Sequence, residues 1–213
     1  MISRIVTAAI AALLAYGWSI TPALSADDTQ TEVKDLLVAG GCFWCVEADL
    51  EKVPGVIEVV SGYAGGDQRN PSYRTYSKTG HREVALVRYD AQAIDFKTLM
   101  TLFVRTIDVT DDGGQFCDRG YGYTSAVYFA DESQKALLEG IIKEGEDAIG
   151  QPIVTPVEAR PEFFPAEDYH QDYYKRNKLR YSTYRSLCGR DRTVRSVWGQ
   201  SGPETIARFK DQS

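Results

Sequence analysis

The sequence predicts a single α+β domain. Its sheet is mixed and largely antiparallel, in a split β-α-β (ferredoxin-like) arrangement, and an irregular C-terminal tail follows. Three observations lead there. Short apolar runs bounded by glycine are interleaved with amphipathic stretches; two strand candidates follow each other with only a polar loop between them; and residues 175–213 are dense in Tyr, Arg and Lys. A doubly wound parallel sheet would require strict alternation of strand and helix, which this order does not keep.

Taken in order, "DLLVAGG" (35–41) is a short apolar run ending in glycines, the mark of a buried strand. Phe43, Val46, Leu50 and Val53 then recur at three- and four-residue spacing, with Glu47, Glu51 and Lys52 on other faces, and Pro54-Gly55 stops the helix they define. "VIEVVSGYAGG" is a strand running into a glycine turn, and "REVALVRYD" is a second strand after the polar loop "DQRNPSYRTYSKTG". Asp95 is placed to cap a helix carrying Phe96, Leu99, Phe103 and Ile107 on one side. The glycine-rich "DVTDDGGQFCDRGYGY" is a long loop, and loops of that length inside a domain usually carry function. "TSAVYFA" is a strand. Asp131-x-x-Gln134 opens a helix with Leu137, Leu138, Ile141 and Ile142, and "PIVTPVEA" is the last strand candidate.

The first 26 of the 213 residues read as a secretory signal peptide: a single Arg4, an apolar stretch from Ile5, then "TPALSA" before an acidic pair. The rival reading is an uncleaved anchor, since the stretch approaches the ~18 apolar residues a span needs. Tyr16, Gly17, Trp18 and Pro22 favour cleavage and a periplasmic or secreted product. Residues 27–34 then form a short linker, 35–174 the catalytic domain, and 175–213 a basic tail lying on that domain with its charges in solvent. The formal net charge of −6 argues against a general nucleic-acid binder, and any membrane contact is confined to an uncleaved leader. A monomer is expected.

The chemistry concentrates in "GGCFWCVEADLEKVPGV" (40–56). Cys42 falls at the start of a helix after two glycines, where unpaired N–H groups and the positive dipole end stabilise a thiolate; its pKa is expected to be lowered. A C-x-x-C pair also fits a thioredoxin-like dithiol or half of a zinc site. Zinc requires two further ligands, and Cys117, Cys188, His81 and His170 are scattered with no second paired motif, so neither metal nor any other cofactor is expected. A core this large does not need two disulfides, so some of the four cysteines serve chemistry.

Together "GGCFWCVEADLEKVPGVIEVVSGYAGG", "NPSY", "TGHREVALVRYD" and "AEDYHQDYY" resemble the methionine sulfoxide reductase A family, in the right order from Leu36 to Tyr174. The resemblance implies reduction of methionine-S-sulfoxide, free and in proteins, through a cysteine sulfenic acid and an intramolecular disulfide that a thioredoxin-like reductant regenerates. By the same resemblance Cys42 is the nucleophile, Phe43 and Trp44 receive the substrate methyl group, and Glu83 protonates the sulfoxide oxygen. Tyr73 and Tyr123 are hydroxyl donors around that oxygen, and Asp118 contacts the substrate backbone or orders the site. Each has a plainer reading: Phe43 also fits the helix core face, tyrosine is common with 13 in the chain, and Glu83 alone would be an ordinary strand carboxylate. His81 and His170 read as structural hydrogen-bonders.

The resolving cysteine is less settled by the resemblance, because many members carry glycine where this chain has Cys45 and a polar residue where it has Cys117. Cys45, three positions from Cys42, is the expected resolver. Cys188 is the rival, and with Cys45 in that role Cys117 and Cys188 remain as a structural bridge or a later relay. Two other functions compete with the reductase: a thioredoxin-like thiol–disulfide oxidoreductase using Cys42 and Cys45, and a silent module that recognises oxidised methionine. The first leaves Glu83 unexplained; the second is at odds with an intact Cys42 and Glu83.

Overall fold

The computed structural model describes residues 31–212 of the chain; the signal-peptide reading lies outside these residues. A six-stranded sheet is its frame. Strands β1 (Val33–Gly40), β2 (Val56–Ala64) and β3 (Arg82–Asp90) are joined by helix α1 (Phe43–Leu50) and then by the polar loop. Helix α2 (Phe96–Val104) leads into a two-stranded hairpin, β4 (Gly114–Gln115) and β5 (Asp118–Arg119), and on to β6 (Ser125–Phe129). Helix α3 (Glu132–Ile149) precedes two short edge strands, β7 (Val157–Ala159) and β8 (Phe163–Pro165).

The spatial order is β7-β6-β1-β3-β2-β8. β3 runs antiparallel between β1 and β2, and β1 runs antiparallel between β3 and β6, so the two crossovers through α1 and α2 each straddle one strand. That is the split β-α-β pattern. One addition was not expected: β8 pairs with the outer edge of β2, with Gly62 opposite Pro165. Gly62 is required there, since a Cβ would come within 2.3 Å of the Phe163 ring.

Alternation along β1 sends Leu36 and Val38 to one face and Leu37 and Ala39 to the other. The first face carries the main core, where Val46 and Leu50 of α1 meet Leu99 and Phe103 of α2 and Leu138 and Ile141 of α3. Burial of this kind contributes about 25 cal/mol per Å² of apolar surface. The helices start where the sequence caps them: the Asp95 carboxylate accepts from Thr98 N at 2.7 Å, and Asp131 accepts from Gln134 N at 2.9 Å.

The C-terminal segment departs from expectation. It is helical rather than irregular, with α4 (Tyr173–Arg176), α5 (Lys178–Cys188), α6 (Arg190–Trp198) and α7 (Gly202–Lys210). Nor are all of its charges in solvent, because Arg185 and Arg190 are buried against Asp49 of α1, itself fully buried. The reason is a long-range charge pairing. A polar, aromatic face at residues 181, 184 and 185 packs on α1, where an aliphatic stripe would ordinarily announce a core-facing helix. Among the described residues no helix is long and apolar enough to cross a membrane.

Candidate active site

The end of β1 and the start of α1 create the site. Gly41 has φ of +77°, and a Cβ on it would lie 2.5 Å from Gln115 Cβ, so only glycine lets the chain turn here beneath the β4–β5 loop. Gln115 in turn holds that loop, accepting from Asp108 N at 2.9 Å and donating to Asp108 O at 2.7 Å. Cys42 then stands at the N-cap of α1, where Cys45 N donates to its carbonyl at 3.0 Å. The two cysteines are 7% and 3% exposed, and each shifts the titration of the other.

A cavity of about 80 Å³ opens beside Cys42, lined by Cys42, Phe43, Trp44, Tyr73, Glu83, Asp118, Tyr123 and Tyr184. Since a water occupies about 30 Å³ of liquid, the space suits a group of a few heavy atoms. It brings together every site residue named from the sequence except the cysteines at 45, 117 and 188.

Glu83 reaches the cavity from β3. One carboxyl oxygen accepts from Phe43 N at 3.0 Å, and the other accepts from Tyr76 OH at 3.0 Å. Burial, against those two bonds, pushes its pKa up to about 8, so it carries a proton at neutral pH. Burial first, and then Glu83 nearby, raises the pKa of Tyr73, Tyr76 and Tyr123 above the usual tyrosine value.

The aromatic wall is braced from the later part of the chain. Trp44 stacks face to face on Tyr173, with centroids 3.8 Å apart, and its indole N–H donates to His170 Nδ1 at 3.1 Å. That bond makes Nδ1 the acceptor and the ring neutral; burial lowers the His170 pKa in keeping with it. The segment "AEDYHQDYY" is bolted down by carboxylates and amides. Glu167 accepts from Tyr63 OH and Tyr73 N, Gln171 brackets Ser61 N and O, and Glu47 accepts from Asp172 N.

Asp118, on β5, accepts a short hydrogen bond from Tyr184 OH, and burial raises its pKa against that bond and against Arg190. Next to it, Cys117 is joined to Cys188 by a disulfide with Cα atoms 4.8 Å apart. Among the described residues this leaves Cys42 and Cys45 as the free pair.

The expectation for the nucleophile needs correcting. The Cys42 pKa is raised, foremost by burial and then by its hydrogen bond with Cys45, rather than lowered by the helix end. Cys45 carries the depressed value, about 7, because it accepts that hydrogen bond and because Arg190 and Arg185 lie nearby, all against its own burial. The helix N-terminus is spent elsewhere, with Phe43 N donating to Glu83. Sequence reasoning also missed Tyr76, Tyr173, Tyr184, Arg185 and Arg190. Tyr76 had a faint signal, three residues after Tyr73, but nothing local tied the tail residues to the site.

Residues 34–202 match the family model described as peptide methionine sulfoxide reductase. The chain belongs to that family. The match runs through the residues of α5 and α6. A peptide methionine sulfoxide reductase MsrA 2 of Rhizobium meliloti is 48% identical over 186 residues, covering 87% of this chain and 94% of that protein. A reductase of the same name from Caulobacter vibrioides is 45% identical over 192 residues, covering 89% and 95%. Among solved structures, reduced Mxr1 from Saccharomyces cerevisiae superposes with a TM-score of 0.65 at 29% identity, covering 68% of this chain and 86% of that one. Methionine sulfoxide reductase A of Corynebacterium diphtheriae gives 0.62 at 28% identity, covering 71% and 78%. This member of the family is an oxidoreductase that acts on methionine sulfoxide.

Proposed function

We propose that Cys42 attacks the sulfoxide sulfur while Glu83 delivers a proton to the oxygen. The observation that carries this is the meeting, in one small cavity, of the Cys42 thiol, a protonated carboxyl and an aromatic wall. The methyl group of the substrate rests against Phe43 and Trp44. Its S=O points toward Glu83, with the hydroxyls of Tyr73 and Tyr123 as further donors. An unprotonated sulfoxide oxygen is a poor leaving group, which is why a neutral acid of raised pKa is suited to the task. Cys45, whose titration is linked to that of Cys42 and whose own pKa is near neutral, accepts the Cys42 proton as the sulfur attacks. The Cys42 sulfur takes up the oxygen as a sulfenic acid, and the substrate leaves as the thioether.

Cys45 gives up that proton to the departing hydroxyl as its sulfur attacks the sulfenic sulfur, so water leaves and a Cys42–Cys45 disulfide closes. A thioredoxin-like dithiol restores the thiols and is itself oxidised. Since Cys42 and Cys45 are buried and Cys117 is exposed, the Cys117–Cys188 disulfide is the one that a protein reductant meets first. Thiol exchange between the two pairs would carry the electrons inward. Residues 1–26 direct the chain out of the cytoplasm, where it works as a monomer in an oxidising compartment; fractionation with N-terminal sequencing of the product tests this.

Turnover of each methionine sulfoxide epimer with dithiothreitol tests the reaction itself. Activity confined to the S epimer and abolished in Cys42→Ser is the expected result. Turnover of the R epimer alone, or unchanged activity without Cys42, would overturn it.

A further inference from the structure

Arg190 is an unusual residue to find buried. It is 1% exposed, the largest fully buried side chain among the described residues, yet it sits at the first position of α6, where a helix dipole disfavours a cation. Its guanidinium spans the base of the site. NH1 donates to the carbonyl of Gly40 at 3.1 Å, Nε lies 3.5 Å from Asp49 Oδ2, and the group stacks over the Phe116 ring at 4.7 Å. Its Nε and second terminal nitrogen have no hydrogen-bond partner.

Arg185, one helix earlier, faces the same carboxylate, with NH1 and NH2 each 3.1 Å from Asp49 Oδ2. It also pairs with the half-exposed Asp191 at 2.6 Å. Two buried guanidiniums therefore share one buried carboxylate. An excess buried charge is costly unless a counter-charge lies close by.

We infer that Arg190, with Arg185, forms a buried cationic base that holds Cys45 as the thiolate, making both arginines positioning residues for the resolving step. The inference rests on the reading of Cys45 as the resolving cysteine. Cys45 precedes Asp49 by one helical turn on α1 and packs with Tyr181, whose hydroxyl accepts from Arg185 NH1 at 3.0 Å, so both guanidiniums that face Asp49 lie on the side of the helix that carries Cys45. Of the groups that face Cys45, Cys42 and Asp49 belong to its own helix, Glu83 to β3, Tyr181 and Tyr184 to α5 with Arg185, and Arg190 to α6. Burial keeps Glu83 and both tyrosines neutral near pH 7; Asp49 opposes the thiolate, Asp191 of α6 pairs with Arg185, Asp118 of β5 lies near Arg190, and the two arginines are the cations that favour the thiolate.

The decisive comparison is between Arg190→Gln and Asp49→Asn, which break the same ion pair. A merely structural role would move both in one direction; an electrostatic role moves them oppositely. In full-length Cys117→Ser/Cys188→Ser protein, which retains only the Cys42/Cys45 pair, the thiolate is titrated by its ultraviolet absorbance. The pH dependence of sulfenic acid decay is followed separately by dimedone trapping. The thiolate midpoint should rise by about one unit or more in Arg190→Gln, a tenfold loss of thiolate below it, and should fall in Asp49→Asn. Arg190→Lys should recover part of the shift and serves if the glutamine variant does not fold. Midpoints that stay put, or move the same way in both variants, overturn the inference. Opposite shifts in a protein whose sulfenic acid is not resolved by Cys45 would sustain the cationic base and overturn the resolving role alone.

Discussion

Replacing Glu83 with glutamine separates the acid from the hydrogen-bonding frame around it. An amide oxygen still accepts from one of Phe43 N and Tyr76 OH, but there is no proton to give. The carboxyl has a pKa pushed from 4.5 to about 8 by burial. The folded protein therefore binds this proton more tightly than the unfolded chain, and its contribution to stability is present at low pH and lost as pH rises from 4.5 toward 8. At 1.36 kcal/mol per unit, wild type forfeits about 3 kcal/mol more at pH 8 than at pH 5 through this group. Glu83→Gln forfeits none of it. Urea unfolding of both proteins at the two pH values should show the stability difference shifting in favour of the variant by about that amount. The other titrating groups, such as Glu47 with its own raised value of about 7, are common to both proteins and largely cancel. Single-turnover formation of the sulfenic acid should meanwhile slow by about 10² or more, the usual scale for general acid catalysis. A stability difference independent of pH would refute the buried, protonated state of Glu83, and an unchanged rate would refute its role as acid.

Cys42→Ser should abolish methionine sulfoxide reduction while leaving the melting temperature close to wild type, because a hydroxyl is a far weaker nucleophile at neutral pH; near-normal turnover would undo the mechanism. Trp44→Ala removes the methyl-facing ring and also its stack on Tyr173, which is worth about 1 kcal/mol. Catalytic efficiency should therefore fall by a larger factor than stability alone explains, and a large drop in melting temperature with unchanged KM would make Trp44 a core residue only. Peptide mapping after one turnover without reductant should find Cys42 joined to Cys45 and Cys117 still joined to Cys188. A Cys42–Cys188 bond with Cys45 open to alkylation would transfer the resolving role to the tail.

The strand and helix pattern was legible in the sequence because it is written locally. The glycine-ended apolar run in 35–41, three- and four-residue spacing in 43–53 and the Asp95 and Asp131 caps each report on a few neighbouring residues. The cavity-lining residues named from the family resemblance were legible for a related reason: each lies in a compact stretch, and the fold needs only to bring three of the quoted motifs and the glycine-rich loop together. What the sequence could not say was how charge and burial would act on them. The local argument put the thiolate on Cys42 because a helix begins there. The tertiary structure instead turns that helix end toward Glu83, buries Cys42, and sets two arginines from the tail near Cys45. Likewise "KRNKLRYSTYRSLCGRDR" looks like a solvated run until Asp49, 136 residues before Arg185, is found as its partner. Helix and strand are short-range properties of the chain. A pKa is set by whatever the fold places within a few ångströms, and no stretch of sequence contains that.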